Sequence, residues 1–257
     1  SGLEVVAFTA DMGTGEGRGF MFSFHGGISN GRLAWTTPNL GDMYSPEVVA
    51  GDFNNDGKME ICLAPHYKIQ VLDAETGFTR YVATWDVGRN YGHFAAADVD
   101  GDGIRDFVVI SDFATHLSVI KNAGSSASLQ WKHTYALVDG SERDVIVLPN
   151  PHSVGDLDGD GTCEVTLSLF NRPVQDLKWH ATAYRGADGT VAMDIPDRYI
   201  YGIRDADNDG VKELFTIECF GTTPPLFGKL QVFNWTATSG AQARLTVEHA
   251  TFVRTRI

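Results

Sequence analysis

The sequence predicts an all-β fold, a β-propeller of four-stranded antiparallel blades, with about five blades visible and the first of them incomplete. Three observations lead there. One acidic nine-residue loop recurs four times along the 257 residues. A short apolar, strand-like run follows every copy. Behind each run comes a hairpin-like stretch, two strand-like segments around a Gly, Asn, Asp or Ser turn.

The loops read DFNNDGKME from Asp52, DVDGDGIRD from Asp98, DLDGDGTCE from Asp156 and DADNDGVKE from Asp205, at spacings of 46, 58 and 49 residues. Positions 1, 3 and 5 carry carboxylate or carboxamide oxygens, position 6 is Gly and position 9 is an acid. The candidate metal ligands are therefore Asp52, Asn54, Asp56 and Glu60, then Asp98, Asp100, Asp102 and Asp106. The last two loops supply Asp156, Asp158, Asp160 and Glu164, and Asp205, Asp207, Asp209 and Glu213. A hard cation such as calcium takes about six to eight oxygens, and glycine permits the tight turn between them. The position 7 carbonyls of Lys58, Ile104, Thr162 and Val211 are expected to join. An EF-hand would close with Glu at position 12. Here that position is Leu63, Val109, Leu167 or Thr216. A single D-x-D-x-D-G can be a solvated turn, but four in-frame copies followed by strands cannot be coincidence. The loops are expected to be Ca2+ sites between strands A and B of each blade, stabilising the fold and taking no part in catalysis.

The elements follow in order. Residues 1–40 form the first blade. Glu4-Val5-Val6-Ala7 matches Glu164-Val165-Thr166-Leu167, so it reads as strand B with Glu4 at the ninth position of a loop whose beginning is missing. GFMFSFHGGISNGRLAWTT supplies strands C and D. Strand A is lacking, so either the chain is part of a longer protein or another segment, such as the tail ATFVRTRI, supplies it. Residues 41–88 form the second blade, with ICLA as strand B and KIQVLDAETGFTRYVATW as the hairpin. The third, 89–143, has FVVI and LSVIKNAGSSASLQWKHTY. The fourth, 144–197, has VTLSLF and HATAYRGADGTVAMDI, and the fifth, 198–257, has LFTIECF and KLQVFNWTATSGAQARLTV. In strand B, Val165, Leu167 and Leu169 alternate with Thr166 and Ser168, so the apolar set is expected to pack between blades.

Composition narrows the function. The chain is 43% apolar with no long apolar run, so a soluble globular protein with a sizeable core is expected, with no membrane span and no signal-peptide pattern. A net charge of −13 argues against nucleic acid as a partner. Fifteen of the 33 acids are loop residues, which leaves 18 against 20 Lys and Arg, so the acidity is a metal signature on a near-neutral surface. Cys62, Cys163 and Cys219 show no zinc spacing and read as buried free thiols. Calcium loops are useful where calcium is millimolar, so a secreted or periplasmic protein is expected.

These motifs resemble FG-GAP/VCBS-type repeats, the calcium-loop blades of integrin-type propellers, lectins and some polysaccharide lyases. The resemblance covers roughly residues 1–250 and speaks to fold more than to function. Within that group, YGHFAAADVDGDG and NPHSVGDLDGDG are similar to rhamnogalacturonan lyases and rhamnose–glucuronate lyases. The resemblance implies that residues leading into the calcium-loop strand line a substrate cleft. Such propellers have seven or eight blades, where five are visible here.

Topology sorts the polar residues. With the acidic loops at one end of each blade, the D–A and B–C connections lie at the other. That end collects His66, His93, His116, His152 and His180, whereas His25, His133 and His249 fall elsewhere. A uronate lyase needs a cation to neutralise the carboxylate, a base to take the adjacent proton and an acid for the leaving oxygen. Arg89, Tyr91, His93, His152 and Arg172 offer such a set. The lead-ins to strand A differ from blade to blade, which favours one unique site over repeated sites. The expected function is an extracellular carbohydrate-active protein, a polysaccharide lyase or its propeller portion, with a lectin or integrin-like binding module as the alternative. The expected partner is an acidic polysaccharide or other glycan, beside possible further blades of a longer parent chain.

Other chemistry finds less support. No H-x-H or H-x-x-x-H spacing exists for zinc, and no G-x-S-x-G elbow is present. The glycine-rich string from Gly13 lacks the P-loop lysine. Trp35, Trp85, Trp131, Trp179 and Trp235 recur near strands C and D, as expected of packing between blades.

Overall fold

The computed structural model describes residues 3–11, 16–25, 28–41, 47–64, 68–84, 90–111, 116–135, 145–147, 153–171, 174–220, 226–236 and 240–247. Apart from one 3-10 turn, Ile28–Asn30, the regular structure among them is β-strand. Five antiparallel sheets follow one another along the chain as propeller blades. The first holds β1 (Leu3–Asp11), β2 (Glu16–Phe24) and β3 (Arg32–Thr36). The second holds β4 (Glu47–Gly51), β5 (Glu60–Ala64), β6 (Lys68–Asp73) and β7 (Thr79–Thr84). The third holds β8 (Asn90–Ala97), β9 (Asp106–Ser111), β10 (His116–Asn122) and β11 (Ala127–Thr134). The fourth holds β12 (Val145–Val147), β13 (Val154–Gly155), β14 (Glu164–Phe170), β15 (Trp179–Arg185) and β16 (Val191–Pro196). The fifth holds β17 (Arg198–Arg204), β18 (Glu213–Phe220), β19 (Leu226–Thr236) and β20 (Gly240–Val247).

Strands pair with their sequence neighbours in each sheet, so every blade is an up-and-down meander. The first sheet has three described strands, and β1 takes the place of strand B, as expected. Glu4 on it is exposed and 3.7 Å from His25 Nε2, unlike the buried ninth-position acids of the four loops. In the fourth sheet the strand A position is split, with β12 and β13 both pairing β14.

Successive sheets stack face to face with equivalent strands opposed: β4 meets β8, β8 meets β13, β7 meets β11 and β16 meets β20. Alternation of side chains then serves two interfaces at once. On β9, Phe107 and Val109 point into the cluster shared with the second sheet, beside Phe53, Cys62, Ile69 and Val71. Val108 and Ile110 point into the cluster shared with the fourth, beside Val165, Leu167, Leu169 and Tyr184. A strand buried on both faces reads as a continuous apolar run, as FVVI does. Full burial of each such side chain contributes about 1.5–3 kcal/mol relative to exposure. The other face of β14 is buried as well, although it carries Thr166 and Ser168. Thr166 Oγ1 donates to the Ser153 carbonyl at 3.0 Å, and Ser168 Oγ accepts the Ile200 N–H of the fifth sheet at 2.8 Å.

Tryptophans on strand D dock onto the next blade. Trp35 Nε1 donates to the Ala74 carbonyl at 3.0 Å, and Trp131 Nε1 to the Gly186 carbonyl at 2.6 Å. Each indole rests on a turn glycine with positive φ, Gly77 and Gly189. A Cβ there would stand 2.6 and 2.7 Å from the ring. Cys62 and Cys219 are buried free thiols, as expected, and Cys163 is half-buried and free.

Candidate metal centres

Each acidic loop is folded by its own first aspartate. Asp52 accepts the N–H groups of Asp56 and Gly57 at 3.2 and 2.8 Å. Asp98 accepts those of Asp102 and Gly103 at 3.1 and 2.8 Å. Asp156 takes Gly159 and Gly161 at 2.6 and 3.0 Å, and Asp205 takes Asp209 and Gly210 at 3.2 and 3.1 Å. The fifth-position acid accepts the seventh N–H in every copy, at 2.8 Å in three loops and 2.9 Å from Ile104. These bonds curl the chain so that side chains 1, 3 and 9 converge. Gly at position 6 has φ from 82° to 96°. Position 4 is left-handed too, as Asn55, Gly101, Gly159 and Asn208. Only glycine and asparagine occupy it, the two residues that adopt that conformation most readily. This restriction is visible in the sequence beside the glycine at position 6, and the sequence reading passed over it.

Three loops bring carboxylate oxygens within 4.8 Å of one another: Asp98, Asp100 and Asp106; Asp156, Asp158 and Glu164; and Asp205, Asp207 and Glu213. Oxygens that share one calcium at roughly 2.4 Å lie no more than about 5 Å apart. The donor set therefore fits a single hard cation. In the first loop the third member is the amide of Asn54, whose Nδ2 donates to Asp56 at 3.0 Å.

The ninth acid is the most telling. Glu60, Glu164 and Glu213 are buried, and each spends Oε2 on the second N–H of its loop: Phe53 at 2.9 Å, Leu157 at 2.9 Å and Ala206 at 2.7 Å. Their Oε1 atoms are buried and have no hydrogen-bond partner. A buried carboxylate oxygen left so is costly unless a cation meets it. Burial pushes Glu164 up to about 7 and Asp106 up to about 6, and raises Glu60. Asp106 differs in geometry, because Oδ1 accepts the Asn122 N–H at 2.8 Å while Oδ2 takes Val99 N–H at 3.4 Å.

Side chains from strands C and D reach some of the loops. Lys121 on β10 bridges Asp100 and Asp102, the latter at 2.9 Å. Arg80 sits beside the bulge where β7 pairs β6, 3.2 Å from Asp56, 2.9 Å from Asp73 and 3.3 Å from Glu60 Oε1, without a hydrogen bond to that oxygen. Arg185 on β15 stands 3.9 Å from Asp158. The hydrogen bond from Lys121 lowers Asp102, and those to Asp100 and Asp102 raise Lys121. The sequence reading missed these cations because they lie 19 to 27 residues from the loop acids they touch. Strand register could have found two: Glu164 pairs Arg185, and Lys121 is one step past the Ile120–Phe107 pair, towards Asp106.

The candidate catalytic residues were expected at the opposite strand ends. Arg89, His152 and Arg172 lie outside the described residues, as does His66. Tyr91 and His93 are on β8, but their side chains lie outside the described ones. By register, His93 faces Ile110 and His116 faces Ser111, at the end of the third sheet away from its acidic loop. His180 is fully described and buried. Its Nδ1 is 3.0 Å from both oxygens of Asp194, and its Nε2 is 3.1 Å from Asp176. Both ring nitrogens are committed, so His180 clamps the connection after β14 and is not open to a substrate. His133 is likewise structural, stacked 4.5 Å from Tyr184 with Nε2 2.7 Å from the Gly189 carbonyl.

Comparison with known proteins agrees with this geometry. Residues 52–109 match a family described as FG-GAP-like repeat. The match is to an FG-GAP-like repeat. It opens on the first loop aspartate and closes in β9, so it takes in the first two acidic loops. No curated protein matches the chain. Among solved structures, the V. cholerae biofilm matrix protein Bap1 is similar at 18% identity and a TM-score of 0.51, over 96% of this chain and 35% of that one. Saccharomyces cerevisiae Sqt1 is similar at 11% identity and 0.58, over 95% of this chain and 58% of that one. The rhamnogalacturonan lyase YesW is similar at 12% identity and 0.45, over 94% and 61%, a likeness too distant to carry an argument. At these identities the likeness concerns the fold alone. The chain spans about a third and somewhat over half of the first two relatives. The FG-GAP-like repeat and the stacked antiparallel sheets together make the chain a β-propeller array.

Proposed function

We propose that this chain is the calcium-stabilised propeller of an extracellular, glycan-directed protein. The observation that carries the calcium reading is the pair of buried, unpartnered carboxylate oxygens on Glu164 and Glu213, at the ninth position of loops that gather acidic oxygens; the matching oxygen of Glu60 has no hydrogen bond and faces Arg80. A calcium ion in each loop would take positions 1, 3, 5 and 9 and the seventh carbonyl, supplying charge neutralisation and a cross-link between strands A and B. Its role there would be structural, since the bound metal would hold the carboxylates that could otherwise serve as bases.

The leading catalytic reading is β-elimination on a uronate-containing glycan. Arg89 or Arg172 would pair with the uronate carboxylate, and His93, His152 and Tyr91 would divide the roles of base and acid. It is supported by the placement of His93 at the strand end remote from the acidic loop. A binding module is the second reading, favoured by the commitment of both His180 nitrogens to carboxylates. The deciding assay follows unsaturated uronate products by ultraviolet absorbance across a panel of acidic polysaccharides. With a cleaved substrate in hand, His93→Ala and His152→Ala are each expected to lose about 10²–10⁴-fold in rate while melting like the parent. Full activity in both variants would refute the catalytic assignment. Binding of a glycan without cleavage would establish the module.

A further inference from the structure

The four loops share one ligand pattern but differ in what strands C and D present to them. The residue facing the ninth acid across the B–C pair is Asp73 in the second sheet and Arg185 in the fourth. One step beyond the Ile120–Phe107 and Phe233–Leu214 pairs, the same place falls to Lys121 in the third sheet and Asn234 in the fifth. Around the loop of Asp98, the Lys121 ammonium bridges Asp100 and Asp102, and both oxygens of Asp106 already accept N–H groups. Around the loop of Asp52, Arg80 pairs with Asp56 and stands beside Glu60. Around the loop of Asp156, Arg185 is only 3.9 Å from Asp158, and Glu164 Oε1 remains open. Around the loop of Asp205, Glu213 Oε1 is open, and no ion pair among the described residues falls on Asp205, Asp207, Asp209 or Glu213. The neighbouring Lys212 reaches the other way, 3.2 Å from the Val154 carbonyl.

We propose that these tethered side chains grade the loops, so that calcium fills the Asp205 and Asp156 loops first and the Asp52 and Asp98 loops only at higher concentration. Lys121 is the residue that sets the affinity of the Asp98 loop. The inference rests on the calcium reading above and adds an order to it. An ammonium between two carboxylates holds the loop closed without metal, and calcium must displace it before those oxygens are free. Mass action turns that displacement into a weaker apparent affinity. Each exposed ion pair is worth no more than about fivefold in an equilibrium constant, so freeing both should give roughly tenfold. In the opposite sense, a lysine placed at Asn234 would bring a competing cation to the loop that has no ion pair among the described residues.

Calorimetric titration of the calcium-free chain with calcium chloride tests this, comparing the parent with Lys121→Gln and Asn234→Lys. The parent is expected to show tighter and weaker classes of site. Lys121→Gln should move one weak step about tenfold tighter, and Asn234→Lys should move one tight step about tenfold weaker. Four equivalent sites in the parent would overturn the grading while leaving the calcium reading intact. So would a Lys121→Gln isotherm that superimposes on the parent's. A parent that takes up no calcium would sink both. Should Lys121→Gln fail to fold, the Asn234→Lys shift decides alone.

Discussion

At the scale of single residues, the loops divide labour between folding and binding. The first and fifth acids spend oxygens on backbone N–H groups, whereas a glutamate at the ninth position keeps one buried oxygen without a hydrogen bond. The ligand pattern was legible because all its members lie within nine consecutive residues. Lys121, Arg80 and Arg185 were not, because the pairing that brings them in joins distant segments. His180 shows the same limit. The sequence places it at the strand end opposite the loops, but only the folded chain reveals that Asp194 and Asp176 occupy both its nitrogens. Burial alone would depress His180, but the hydrogen bonds to Asp194 and then Asp176 outweigh it and raise it. Thr182 Oγ1 completes the cluster by donating to Asp194 at 3.1 Å, and Lys178 pairs with Asp197 beside it. A histidine raised on folding adds stability that is complete below its unfolded value of about 6.5 and fades as pH rises through the folded value. In saturating calcium, the urea midpoint of the parent should therefore fall more from about pH 6 to about pH 8 than that of His180→Asn. Parallel slopes in the two proteins would show that the clamp is not charged.

At the scale of elements, strand identity was readable because β9 and β14 each carry near-continuous burial or alternation over a short run. The polar face of β14 was less transparent. Thr166 and Ser168 look like solvent-facing residues, yet their partners, the Ser153 carbonyl and the Ile200 N–H, come from other parts of the chain. The tryptophans were expected to pack between blades, and Trp35 and Trp131 do so by resting on the hairpin turn of the following sheet. That docking demands a residue without Cβ. At Gly189, φ is +73° and a Cβ would come within 2.7 Å of Trp131. Gly189→Ala is expected to destabilise by about 1–3 kcal/mol, from left-handed strain together with displacement of the indole. The measurement is the denaturant midpoint at unchanged m-value. A midpoint equal to the parent's would mean that the turn relaxes freely and the docking contributes little.

At the scale of the whole molecule, the blades were legible because the repeat is written in the loops and hairpins, and even the strand B identity of β1, first of the three described strands of its sheet, showed in the match of Glu4-Val5-Val6-Ala7 to the fourth blade. The chemistry at the opposite end was less so. Its candidates belong to stretches of sequence that differ from blade to blade and carry no fixed spacing. Acidic loops tie strand A to strand B in four successive blades, so the ions would act as cross-links distributed along the array. Binding to the folded chain alone stabilises it, by about 2.7 kcal/mol for each site at a hundredfold excess over its dissociation constant. The most direct test is metal analysis combined with scanning calorimetry, in calcium and after chelation, on the parent and on Glu164→Gln. One ion per loop is predicted, with a melting temperature that falls on chelation. Glu164→Gln should lose one ion and melt lower in calcium, yet melt no lower than the parent in chelator, where a buried unpaired carboxylate has been removed. Fewer than two bound ions, with melting indifferent to the chelator, would contradict the account.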